Sequence, residues 1–106
     1  MPSNTMIHVY IHYPTLRVAK KISQLLLDTR LAGCVSFVAQ SDMYWWRGKQ
    51  VRTRGVVTFV AAPKKNYKKI EKLVVAHHPY RVPCIMELPV GRTLKMYRQW
   101  LAKETR

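Results

Sequence analysis

Residues 5–13 alternate between apolar and polar side chains with a period of two. Ile7, Val9 and Ile11 fall on one face; His8, Tyr10 and His12 fall on the other. Successive side chains of a strand point to opposite faces, so this segment predicts a half-buried strand with β-branched residues toward the core. The period then changes. After Pro14, which suits the first turn of a helix, Leu16, Ala19, Ser23, Leu26 and Leu27 recur at helical spacing, with Lys20, Lys21 and Asp28 outside the stripe. That is an amphipathic helix, with Gly33 as its stop. Residues 34–46 and 50–61 read as two long strands, and Arg47-Gly48-Lys49 as the hairpin tip between them. A second helical stripe carries Tyr67, Ile70, Leu73, Val74 and His77. It is opened by Pro63 and must end at Pro79. Residues 83–88 form a short apolar strand. Thr93 is placed to cap a last helix bearing Leu94, Tyr97, Trp100 and Leu101.

The order β-α-β-β-α-β followed by a helix is the split βαβ, ferredoxin-like arrangement, a two-layer α+β sandwich. At 106 residues the chain is one domain, 1–106. Disorder is expected only in residues 1–4 and in the tail after Lys103. At about 3.3 Å per residue, a strand of about twelve residues reaches roughly 40 Å, so the hairpin is expected to project beyond so small a domain. Its edges need cover, and pairing with a second copy supplies it.

Charge changes this picture. Nineteen Lys and Arg face five Asp and Glu, a net charge of +14. Such an imbalance favours nucleic acid or another polyanion, an acidic membrane or an anionic small ligand; a merely solvated basic surface is the plainer reading. Arg52 and Arg54 lie along the hairpin. Lys65, Lys68, Lys69 and Lys72 recur at i, i+3, i+4 and i+7 on one helical face, a fair polyanion footprint, though no nucleic-acid motif accompanies it. No run of about 18 apolar residues is present, so no membrane span is expected. No basic start with an apolar block opens the chain, so no secretory signal is expected.

Cys34 and Cys84 do not make a disulfide framework, and a reducing, cytoplasmic compartment is the expectation. With His77 and His78 they are the candidate soft ligands, since thiolate and imidazole together favour copper or zinc. No two of the four sit at a zinc-finger spacing. In the split βαβ order the two cysteines lie at opposite edges of the sheet, which leaves a site between subunits. Plainer roles are a small buried hydrophobe for each cysteine and a helix C-terminus for the histidines. His8 and His12 stand about 13 Å apart along one strand face, too far to share an ion bonded at about 2 Å. Paired catalytic carboxylates, a Ser-His-Asp order and a phosphate-binding glycine loop are all missing, so no enzyme is expected.

Taken in order, several segments resemble the CutA family of divalent-cation tolerance proteins. They are Arg30-Leu31-Ala32-Gly33-Cys34-Val35-Ser36, Tyr44-x-Trp46-x-Gly48-Lys49, His78-Pro79-Tyr80-x-Val82-Pro83, Leu88-Pro89-Val90 and Tyr97-x-x-Trp100. The resemblance covers nearly the whole chain. It implies the same ferredoxin-like fold, a homotrimer with hairpins paired between subunits, an association with copper or another divalent metal, and an architecture similar to PII signalling proteins. It implies no enzyme reaction. Tyr44, Trp46, Tyr80 and Arg81 would then line a cleft between subunits. A PII-like anionic metabolite held at Arg81 and Arg54 is a further alternative. The chain departs from the family where acidic residues are usual: Val51, Arg52, Thr53, Arg54 and Gly55 follow the hairpin tip, Arg81 follows His78-Pro79-Tyr80, and Cys84 follows Val82-Pro83. Carboxylates suited to hard divalent ions are therefore missing there.

Overall fold

A computed structural model describes residues 5–106; the disorder expected for residues 1–4 lies outside the described residues. The elements are β1 (Met6–Tyr13), α1 (Leu16–Asp28), β2 (Cys34–Trp46), β3 (Lys49–Pro63), α2 (Tyr67–His77), β4 (Ile85–Pro89) and α3 (Lys95–Glu104). The four strands form one antiparallel sheet in the order β2-β3-β1-β4. This is the expected ferredoxin-like order, with Cys34 in one edge strand and Cys84 just before the other.

The alternation in β1 fixes which face is which. Ile7, Val9, Ile11 and Tyr13 pair with Ala62, Val60, Thr58 and Val56 of β3. This face meets Ala19, Ile22 and Leu26 of α1 and Ile70 and Val74 of α2 to make the main core. Burying one such Ile or Leu contributes about 1.5–3 kcal/mol, so the stripe alone holds the helices down. His8, Tyr10 and His12 face the opposite side. At one end of that side α3 lays Leu101 against Met6 and Ala61; elsewhere the face is open.

Several local expectations need correction. Pro14 precedes the helix; Thr15 is the N-cap and accepts from the Val18 amide at 3.2 Å. α1 stops at Asp28, and Arg30 makes the left-handed turn after it (φ 61°) rather than Gly33. Arg30 is held there by Glu104, at 3.0 Å, and by the Arg106 amide on its carbonyl at 2.9 Å. Gly33 serves packing instead, because a Cβ there would collide with the Leu101 side chain. Thr93 turns its hydroxyl to the Gly91 carbonyl, and Leu94 begins α3 without a side-chain cap. The tail after Lys103 is docked, not free: buried Asn66 donates Nδ2 to the carbonyls of Leu31 (3.1 Å) and Arg106 (3.2 Å).

The hairpin projects as expected. Its loop is Arg47-Gly48, both at positive φ (50° and 77°), the primed turn that suits a two-residue connection. The radius of gyration is 14.5 Å and the long axis 46 Å, against about 13 Å radius for a compact chain of this length. Along the projecting half no residue of β2 is buried, and Met43 and Trp45 are 70% and 69% exposed. β2 is also an edge strand, with one row of backbone groups unpaired by this sheet.

Candidate functional site

The open face of the sheet holds a groove of about 500 Å³ between the root of the hairpin and the segment after α2. Tyr10 and His12 form its floor; Asp42, Tyr44 and Trp46 come from β2, and Tyr80, Arg81 and Cys84 from the opposite rim. Tyr44, Trp46, Tyr80 and Arg81, expected in a cleft between subunits, all line this groove of a single chain.

Its floor holds a histidine–aspartate pair. His12 Nε2 and Asp42 Oδ2 lie 2.5 Å apart, both sealed from solvent and neither with another side-chain partner. The strands carrying them are not neighbours, since β3 runs between β1 and β2. The imidazole crosses β3 at Gly55, which pairs with Gln40. A Cβ at Gly55 would collide with the Tyr13 carbonyl and sit 3.1 Å from His12 Nε2. Asp42 is oriented by Gln40, whose Nε2 donates to Asp42 Oδ1 at 2.8 Å and to the Tyr10 hydroxyl at 3.0 Å. A glycine inside a strand marks a close backbone approach, and Gly55 was the signal in the sequence for this site.

The rim is fixed by His78. Its Nε2–H donates to the His12 carbonyl at 2.7 Å, and its Nδ1 accepts from the Tyr80 amide at 3.1 Å. Those partners select one neutral tautomer. The ring also stacks on Tyr13, 5.1 Å between centroids. His78 thus ties the groove floor to the chain segment that supplies Tyr80 and Arg81. Burial pushes its pKa below the ordinary histidine value. The unfolded chain takes up a proton near pH 6.5 and the folded one resists, so stability is full above that value and falls as the pH drops through it. Urea unfolding at about pH 7.5 and about pH 5.5 should show this loss, and His78→Gln, which cannot titrate, should shrink it. An undiminished pH dependence in the variant would assign the loss to other groups.

The soft-ligand candidates do not converge within one chain. His78 is committed to the backbone bonds above. His77 is exposed and its Nδ1 contacts the Leu73 carbonyl at 2.9 Å. Cys84 is exposed at the groove; Cys34 lies two strands away beside Tyr97 and Leu101. Among the described residues no three His, Cys, Asp or Glu side chains meet in metal-binding geometry. Burial, and Asp42 secondarily, push the Cys84 thiol up from its usual range, so it holds its proton more tightly than a free cysteine.

All five carboxylates are engaged. Asp42 meets His12, Glu104 meets Arg30, Glu87 meets Lys64 at 3.1 Å, Glu71 meets Lys68 and the Tyr67 hydroxyl, and Asp28 meets Gln24 at 2.8 Å. Burial, and the Glu71 bond after it, push the Tyr67 phenol up to about 12. Of the basic candidates, Lys65, Lys68, Lys69 and Lys72 are all exposed. Arg52 and Arg54 pair with Met43 and Ser41, which puts them on the helical side of the sheet. Arg54 therefore does not share the groove with Arg81 in one chain.

Comparison with known proteins gives the setting. The family model described as CutA1 divalent ion tolerance protein matches residues 7–104. The divalent-cation tolerance protein CutA of Thermus thermophilus is 34% identical over 98 residues, 92% of this chain and 95% of that one. A solved structure from Archaeoglobus fulgidus, described as a periplasmic divalent cation tolerance protein, superposes with a TM-score of 0.92 at 29% identity, covering 93% of this chain and 97% of that chain. The CutA1 structure from Oryza sativa superposes with a TM-score of 0.93 at 27% identity, covering 97% of each.

Proposed function

Because this chain belongs to the CutA1 divalent ion tolerance family, we propose that it is a homotrimeric binding protein that takes up copper or another soft divalent ion, and not an enzyme. The engagement of all five carboxylates carries this reading. Hard ions such as magnesium and calcium need oxygen ligands, several of them charged; four of the five carboxylates are paired with a Lys, Arg or His, and among the described residues none joins a group of three metal-ligating side chains. Accessible sulfur and imidazole are also present, Cys84 at the groove and His77 at the end of α2, the donors that favour copper and zinc. One chain supplies only part of a coordination set, so the remaining donors come from a second copy. The open sheet face, the unpaired edge of β2 and the exposed hairpin supply the surface on which copies meet.

Among the described residues no helix is long and apolar enough to cross a membrane. Two free thiols fit a reducing compartment, which favours a cytoplasmic setting for this chain. The apolar groove with Arg81 on its rim favours a second reading, a small planar anion held where copies meet.

Calorimetric titration with copper, zinc, magnesium and a nucleotide panel tests both. Copper or zinc should bind and magnesium should not. Cys34→Ser with Cys84→Ser should weaken copper by about tenfold or more, the usual scale for a lost metal contact. Undiminished copper affinity in that double variant would remove the cysteines from the site. Binding of a nucleotide without metal would favour the second reading.

A further inference from the structure

The helical side of the fold carries one of two concentrations of positive charge, the other being Arg92, Lys95, Arg98, Lys103 and Arg106 in and around α3. α1 and α2 bury one face each against the sheet, through Ile22 and Leu26 and through Ile70 and Val74. Turned away from that core, and all exposed, are Arg17, Lys20 and Lys21 of α1, Lys65 just before α2, and Lys69 and Lys72 of α2. The acidic residues of these helices do not neutralise the six. Only Asp28 and Glu71 oppose them on these helices, and Glu71 already pairs with Lys68. Arg52 and Arg54 extend the same sign along the helical side of the hairpin.

We propose that this helical face binds the phosphate backbone of duplex nucleic acid without reading its sequence. The inference rests on the assembly reading in one respect: the open sheet face is the one that copies cover, which leaves the helices outside. The chemistry of the face selects the ligand. Lysine is a flexible point charge, suited to phosphates and poor at bidentate recognition of a base edge. Single strands are held by several aromatic side chains on which successive bases stack; α1 and α2 present no exposed aromatic, and on the helical side of the hairpin only Phe37 and Trp45 stand exposed. Insertion into an anionic bilayer needs a continuous apolar face with large side chains beneath the cations; the exposed large apolar residues of the two helices, Leu16, Leu27 and Val75, are scattered singly among them. A duplex offers one negative charge per about 1.7 Å of axis, so two adjacent helices of basic residues meet many phosphates at once.

Fluorescence anisotropy with a labelled random-sequence DNA duplex, titrated from about 50 to about 200 mM salt, tests this directly. The parent protein should bind, with affinity falling as a power of salt at about 0.9 per phosphate contacted. Lys69→Glu with Lys72→Glu should weaken binding by tenfold or more and flatten the slope by about two. Lys95→Glu with Lys103→Glu on α3 changes the net charge equally and should cost much less. Equal losses from the two double variants would overturn the proposal, because net charge alone would then explain binding. So would absent binding at the lowest salt, tighter binding to a single strand of the same length, or tighter binding to phosphatidylserine vesicles. A monomeric parent that still loses duplex affinity on α2 reversal would refute the assembly reading and leave this one standing.

Discussion

Gly55→Ala is expected to lower the melting temperature by about 10–20 °C, with about 2–3 kcal/mol of overpacking read at about 4–8 °C per kcal/mol for a small domain. The added methyl meets the Tyr13 carbonyl, which is backbone in the central strand β1 and cannot turn aside. It also presses on His12 where the imidazole crosses to Asp42, so relief must come from breaking that pair or from parting β1 and β3. Gly91→Ala is the control: nothing lies within 4 Å of its Cβ position, and surface changes of that kind stay within about 0.5 kcal/mol. Thermal unfolding of both variants settles the comparison. Equal melting temperatures would show that the sheet accommodates the methyl and that Gly55 has no packing role.

The second large effect concerns the hairpin. Val38 and Trp46 are 46% and 43% exposed and share the open face with Tyr44. In a lone chain, replacing exposed side chains with aspartate costs little. In an assembly the same positions are covered, and a buried unpaired carboxylate costs several kcal/mol. Val38→Asp with Trp46→Asp should therefore dissociate the protein while leaving its circular dichroism nearly unchanged. Loss of the folded spectrum together with the assembly would mean that the chain does not hold its fold alone. An intact assembly would move the contact surface elsewhere.

Most of the architecture was legible because it depends on short-range period. Ile7, Val9 and Ile11 announce the core face of β1, and Ile70 and Val74 announce that of α2. Element ends were less legible, because they depend on partners distant in sequence. Arg30 takes a left-handed turn that glycine usually makes, and does so where Glu104 and Arg106 hold it. Nothing near Arg30 in the chain predicts that. The tail after Lys103 is ordered for the same reason, through Asn66. The site was half legible. Tyr44, Trp46, Tyr80 and Arg81 were found as a set, but the His12–Asp42 pair was missed. It spans two strands that are not neighbours, and only the register of β2, β3 and β1 brings it together. Cys34, Cys84, His77 and His78 were grouped by donor chemistry, which carries no information about direction. The fold turns His78 inward to the backbone of β1 and leaves His77 in solvent.

The central claim is that this chain works as an assembly in which copies cover the open sheet face and complete one another's site. Sedimentation equilibrium at moderate salt, where repulsion between strongly basic chains is screened, tests it most directly. A single species at three times the 12.4 kDa chain mass is the predicted result. A folded species that stays at 12.4 kDa across the accessible concentration range would contradict it.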